Sequence, residues 1–305
     1  MRLVRHAFLG ALRAYRRLFL IVAPIYAGII LLSHTPVLPW IAARMEPAMT
    51  AFALPGGAAL VLVLGFAINI YAGLAACAGL ALSPGHATTL ALILGFTHNL
   101  LVEGALLFKL SRRAWLWMSL RIAAGLIAGV VFGPIFAKAW PGATAIAGAE
   151  IVKHTLAHDL FIKGGTSLLQ LFLILVPIVF LLEILQGLGA LAKLRQPLRP
   201  LLKFLGFEEG ASEALIAGLF FGLVYGAGVI LDRVQEEGLS EDQVGRLCLT
   251  LVLCHAIVED TLLFAPVHAV LWPVVVVRIA VAVAALIAFR LFAPRIARAA
   301  SVPAP

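Results

Sequence analysis

The sequence predicts an all-α polytopic membrane protein: two inverted-topology repeats with interfacial amphipathic helices and re-entrant glycine-rich hairpins. Three observations carry that reading. The chain is 63% hydrophobic and only 12% charged, with a mean hydropathy of +1.06, whereas a soluble domain runs at about 45–50% apolar and 25% charged. Its second half repeats the plan of the first. Its basic residues cluster beside apolar spans in the manner of the positive-inside rule. A β-barrel would alternate apolar and polar residues in pieces of about ten, and no such pattern occurs.

The repeat shows first in LFLIVAPI at residues 18–25, which returns as LFLILVPI at 171–178, an offset of 153 that also maps Pro47 onto Pro200. Further on the offset becomes 157. It then pairs Leu82-Ser83 with Leu239-Ser240, Trp115 with Trp272, and Arg121-Ile122-Ala123 with Arg278-Ile279-Ala280. The units are 1–140 and 165–305, joined by a linker at 141–164. The basic, apolar N-terminus imitates a signal peptide, but a removable leader would not be duplicated inside the chain, so it reads as a retained helix.

Each half opens with an apolar span, 17–32 or 168–187. An amphipathic, proline-bearing stretch follows, 37–54 or 188–205, whose Lys193, Arg195, Arg199 and Lys203 suit an interfacial helix that snorkels its cations. A glycine-rich segment comes next, 56–80 or 214–231. It fits either a closely packed continuous helix or a broken hairpin. Ser83 and Ser240 stand where an N-cap would start the next helix, 85–108 or 241–264. Spans at 114–138 and 269–292 close the two halves.

Charge decides between topologies. If the glycine-rich segments re-enter without crossing, each half crosses three times and the second is inverted. The clusters Lys109/Arg112/Arg113, Lys193–Lys203 and Arg290/Arg295/Arg298 then all face the cytoplasm with both termini, in an inner membrane. If those segments cross fully, the first two clusters fall outside. The linker would be external, and its Glu150, His154 and His158 share one face if helical. They are candidate metal ligands, or else a solvated helix face.

The functional candidates are polar groups inside apolar helices: THNLLVEGALLF at 97–108 and LCHAIVEDTLLF at 253–264. A charge at mid-bilayer costs at least about 2.5–3.5 kcal/mol, so it persists only when paired or facing a cavity. His98, Asn99, Glu103, His255, Glu259 and Asp260 form the candidate substrate or ion site. Arg121 and Arg278, on the following spans, are expected to pair with Glu103 and Asp260. The register stays open between offset 157, which equates His98 with His255, and 156, which equates Glu103 with Glu259. In continuous helices Asn99 and Glu103 share a face, as do His255 and Glu259, while His98 and Glu103 diverge by about 140°. Histidine with carboxylate suits a proton relay or a borderline divalent metal. Asn69, Tyr71 and Tyr225 in the glycine-rich segments could hydrogen-bond an organic solute, or simply pack between helices.

Several classes fall away. The +8 net charge is spent beside spans, so no nucleic-acid partner is expected; lipid and a small solute or ion are, with a homo-oligomer open. No phosphate-binding loop, dinucleotide fingerprint or nucleophile–base spacing occurs, so an enzyme is not expected. No cofactor is expected beyond a divalent metal. Cys77, Cys248 and Cys254 read as small buried thiols.

The amphipathic stretch, the glycine-rich segment and the helix carrying THNLLVE or CHAIVEDTLLF resemble the nucleoside recognition, or gate, domain. That domain occurs in concentrative nucleoside transporters, in the membrane part of ferrous-iron permeases and in spore-maturation membrane proteins. The resemblance covers nearly the whole chain as two gate copies, and implies inverted repeats with re-entrant elements and a transport function. The G-protein module of such iron permeases and the extra spans of a full nucleoside transporter are missing. The resemblance therefore carries over no substrate contact. It leaves three expectations: a proton- or cation-coupled transporter of a small, nucleoside-like solute, a divalent-metal permease, or a non-transporting assembly or signalling protein.

Overall fold

The computed structural model describes residues 2–77, 80–142, 155–212, 214–220, 222–223 and 239–300. Among these, regular structure is helical throughout. Helix α1 (Arg2–Ser33) and helix α8 (Gly164–Gly187), the two opening elements of the repeat, lie against each other. The Tyr15 hydroxyl donates to the Leu168 carbonyl at 3.3 Å, and its ring stands edge-on to Phe172. Both helices run through a proline, Pro24 and Pro177, which membrane helices tolerate where neighbours take up the freed carbonyl.

The amphipathic stretches are helices α2 (Val37–Met49) and α9 (Ala190–Phe204). Arg44 lies over the Trp40 ring, and Arg199 pairs with Glu209 at an exposed site. The turn after α2 is tied by Glu46, whose carboxylate accepts from the Gly56 amide at 2.6 Å. A side chain at Gly56 would collide with the Ala42 carbonyl and that carboxylate. Glycine is required there.

The first glycine-rich segment is two short helices packed on each other, α3 (Ala58–Ala67) and α4 (Ile70–Cys77). At 1.5 Å per residue each is roughly 12–15 Å long, about half the hydrocarbon thickness. Asn69 marks the break, and its side-chain oxygen accepts from the Ala72 amide at 2.9 Å. In the second half, residues 214–220 are helical, and Tyr225 lies outside the described residues.

Three helical stretches among the described residues are long and apolar enough to cross a bilayer: Pro84–Leu110, Ala114–Ala139 and Leu271–Leu291. The first is 67% buried over its most apolar window, the others 33% and 28%, which separates one inner element from two outer ones. Helix α5 (Pro84–Thr97) is the inner core, with Leu90, Leu92, Ile93, Leu94 and Phe96 fully enclosed. Ser83 caps it as expected, accepting from the His86 amide at 3.1 Å. Its threonines send their hydroxyls back to its own carbonyls: Thr88 to Pro84, Thr89 to Gly85, Thr97 to Ile93. An apolar core thus absorbs them without an unpaired donor.

Helix α7 (Ala114–Ala139) packs closely on α5 because Gly125 and Gly129 lie one turn apart at the contact, and a turn further on Gly133 admits the Phe52 backbone. Its outer face, with Ile127, Val130, Val131 and Ile135, is exposed and apolar, as lipid demands. Helix α10 (Glu241–Cys254), capped by Ser240, packs on helix α12 (Leu271–Ala300), which has no glycine at the equivalent positions. Thr88 also accepts from the Val270 amide at 2.8 Å, which docks the start of α12 on α5.

Candidate functional site

The candidate helices are not continuous, which corrects the expectation of uninterrupted spans at 85–108 and 241–264. Helix α5 stops at Thr97 and helix α6 (Leu100–Leu110) begins anew. Between them His98 is extended (φ −69°, ψ 160°) and Asn99 is left-handed (φ 55°, ψ 37°). Helix α10 stops at Cys254 and helix α11 (Ile257–Leu262) begins after an extended His255 (φ −81°, ψ 163°) and a left-handed Ala256 (φ 42°, ψ 35°). Matching conformations at His98/His255 and Asn99/Ala256 resolve the open register in favour of offset 157.

A break strands carbonyls at the end of one helix and amides at the start of the next, at a depth where water is scarce. Several of these groups have a partner in another element. The Asn99 amide donates to the Gly65 carbonyl at 2.9 Å, and the Ala256 amide to the Gly218 carbonyl at 3.1 Å. Arg121 donates to the Phe96 and His98 carbonyls, and Arg278 to the His255 carbonyl at 2.7 Å. Both arginines are wholly enclosed.

The acids sit in the first turn of the restarted helices, where the macrodipole favours negative charge, while the arginines neutralise the carbonyl ends of α5 and α10. The expected ion pairs are present. Arg121 Nη1 meets Glu103 Oε2 at 2.5 Å, and Arg278 Nη2 meets Asp260 Oδ2 at 3.5 Å. Asn99 reaches Glu103 at 3.5 Å, as its i,i+4 spacing predicted.

The breaks overturn two other geometric expectations. His98 and Glu103 do not diverge: the kink brings His98 Nε2 to 3.5 Å from Glu103 Oε1. His255 and Glu259 have the second break between them, and no ion pair joins them. Glu259 instead accepts from the Tyr71 hydroxyl at 2.7 Å, a bond that joins the two halves. Tyr71 and Asn69 thus have protein partners of their own.

The histidines meet. Each Nδ1 lies 2.7 Å from a carbonyl four residues back, Leu94 for His98 and Leu251 for His255. A carbonyl only accepts, so Nδ1 carries a proton, and in the neutral ring Nε2 turns its lone pair inward. The two Nε2 atoms stand 3.4 Å apart. His255 Nε2 is 3.2 Å from Glu103 Oε2, and His98 Nε2 is 3.8 Å from Asp260 Oδ1. The ligand atoms of His98, His255 and Asp260 lie within 4.8 Å of one another, the one group among the described residues with the composition and spacing to hold a metal.

Of the linker candidates, only His158 falls among the described residues. Glu150 and His154 lie outside the described residues, and His158 sits 3.6 Å from Asp159, which also meets His34 at 3.0 Å. Sequence reasoning missed Gly65 and Gly218, whose carbonyls accept from the amides at the breaks. Their signal was steric: a side chain at either would strike the tip of Leu94 or Leu251, themselves equivalent at offset 157.

The nucleoside recognition (gate) family model matches residues 168–280. The uncharacterized membrane protein YvoD of Bacillus subtilis (strain 168) is 34% identical over 272 residues, 86% of each chain. No solved structure matches. The chain belongs to the family of membrane proteins that includes YvoD, with a nucleoside recognition domain in its second half.

Proposed function

We propose that the protein is a transporter of the cytoplasmic membrane that moves a small solute or ion through its centre. Two inverted gate-like repeats, 1–140 and 165–305, rock about the paired helix breaks. The observation that carries this reading is the meeting of His98 and His255, contributed by two breaks of matching geometry, at 3.4 Å in the buried middle of a membrane protein. Discontinuous helices at a repeat interface are where secondary transporters bind substrate and coupling ion. The half-length helices α3 and α4 support a re-entrant hairpin, and with it a second half inverted relative to the first. Both termini then face the cytoplasm, by the placement of basic clusters.

In this reading the Arg121–Glu103 and Arg278–Asp260 pairs hold the breaks in shape, and the histidine pair with Glu259 carries the coupling charge. A nucleoside-like organic solute is the cargo suggested by the domain's name. Purified protein in liposomes, given a proton or sodium gradient, is expected to accumulate a labelled nucleoside or a divalent metal. Glu103→Gln and Glu259→Gln, with folding retained, should abolish uptake. Uptake unchanged in both variants would remove these residues from the mechanism, and no uptake of either cargo by the unaltered protein would overturn the transport reading.

A further inference from the structure

We propose that His98, His255 and Asp260 bind one divalent transition-metal ion between the two broken helices. The inference rests on the transport reading for the purpose of binding, but the binding itself stands on three observations.

The first is hydrogen-bond accounting. With both Nδ1–H groups given to the Leu94 and Leu251 carbonyls, the inward-facing atoms of the neutral imidazoles and the carboxylates are acceptors. They are two imidazole lone pairs 3.4 Å apart, Glu103 oxygens at 3.2 and 3.5 Å, and an Asp260 oxygen at 3.8 Å. Buried acceptors facing one another call for a positive centre among them. Arg121 gives its donors to Glu103 and two backbone carbonyls, and Arg278 Nη2 serves the His255 carbonyl and Asp260, while Arg278 Nε and Nη1 make no hydrogen bond to the described residues, these acceptors included.

The second is edge length. An ion with metal–ligand bonds of about 2.0–2.1 Å in tetrahedral array holds its ligand atoms about 3.3–3.4 Å apart. The histidine nitrogens already stand at 3.4 Å; Asp260, 3.8 Å from His98 and within 4.8 Å of His255, has to close on both. Glu103, fixed by Arg121, flanks both nitrogens at the remaining position.

The third is orientation. A ligating imidazole normally donates its other N–H to a carbonyl or carboxylate, which fixes the tautomer and aims the free nitrogen. Both histidines have that bond. Two imidazoles with carboxylate favour zinc, cobalt or ferrous iron over magnesium or calcium.

Charge limits the affinity. The acid–arginine pairs cancel, so the ion adds two positive charges, and only Glu259, held by Tyr71 and without an arginine partner among the described residues, offsets one of them. Such a site exchanges its ion rather than keeping it, as a permeating or coupling ion requires.

The test is a Co2+ titration of the metal-stripped, detergent-purified full chain. A saturating visible spectrum of four-coordinate Co2+ is expected at one ion per chain, displaced by Zn2+. X-ray absorption of the Co2+ form should show two imidazoles. His98→Gln and His255→Gln should each weaken binding at least tenfold, and Asp260→Asn should weaken it too. No saturable Co2+ signal in the unaltered protein, an all-oxygen shell, or unchanged affinity in both histidine variants would each overturn the site. The first two readouts need no variant to fold. Saturable binding without Co2+ or Zn2+ flux in liposomes supports the site and counts against transport; solute flux without a Co2+ site leaves transport standing and overturns the site.

Discussion

The two helix breaks share a backbone geometry but differ in how well they are supported. At the first, Asn99 takes the left-handed conformation that asparagine accepts readily, and Arg121 bonds two carbonyls and Glu103. At the second, Ala256 takes that conformation with a Cβ that resists it, at about 1–2 kcal/mol. Arg278 bonds the His255 carbonyl but meets Asp260 only at 3.5 Å, and its Nε and Nη1 make no hydrogen bond among the described residues. The first break is a finished strut and the second a softer joint. A duplicated element need not be held equally at both copies, and the weaker copy is where movement costs least.

The largest expected effect separates the arginines. Arg121→Met leaves Glu103 buried without its arginine and two carbonyls without their donor, and should destabilise by about 3–5 kcal/mol. Arg278→Met gives up one good bond and one long one, and should cost about 1–3 kcal/mol. Denaturant unfolding in micelles measures both, and equal losses would erase the comparison.

Next come the glycines under the breaks. Gly65→Ala and Gly218→Ala each press a methyl into a leucine tip, Leu94 or Leu251, at about 1–3 kcal/mol. Since that contact is the same in both halves, matched losses are expected; a cheaper Gly218→Ala would show the second break yielding.

The bond across the halves is smaller. Tyr71→Phe removes a donor to Glu259 and should cost about 1.5–3 kcal/mol if that acid is ionised and nearer 1 if it is not. Glu259→Gln in the same background reads the coupling, and strictly additive effects would show that the bond does not join the halves.

The smallest effects test the turns themselves. Asn99→Ala should destabilise by about 1 kcal/mol, and Ala256→Gly should stabilise by about 0.4–1 kcal/mol. Thermal unfolding distinguishes these signs, and a destabilising Ala256→Gly would mean that packing of the Ala256 methyl, which is 5% exposed as a residue, outweighs the backbone strain.

Much of this was legible in the sequence, for identifiable reasons. Ser83 and Ser240 announced helix starts because a capping hydroxyl has no other purpose beside an apolar run. The arginine–acid pairs followed from depth alone, since a charge in a bilayer must find its opposite. The breaks were not legible. Asn99 is a weak sign of a left-handed residue and Ala256 is none, so 3.6-residue periodicity carried both helices straight through. That single omission produced both geometric errors, the divergence of His98 from Glu103 and the shared face of His255 and Glu259. Composition identifies what must be neutralised, whereas the path of the backbone is decided by tertiary bonds such as Asn99 to Gly65 and Ala256 to Gly218.

The central claim is that the two breaks build one site, with His98 and His255 as its shared members. A double-mutant cycle of His98→Gln, His255→Gln and the pair, read by equilibrium unfolding, tests it most directly. Side chains in contact within one network show interaction free energies of about 0.5–3 kcal/mol, while independent sites add to within about 0.3–0.5 kcal/mol. A coupling of about 1 kcal/mol or more is predicted; additivity within that smaller margin would mean that each histidine serves its own helix and no shared site exists.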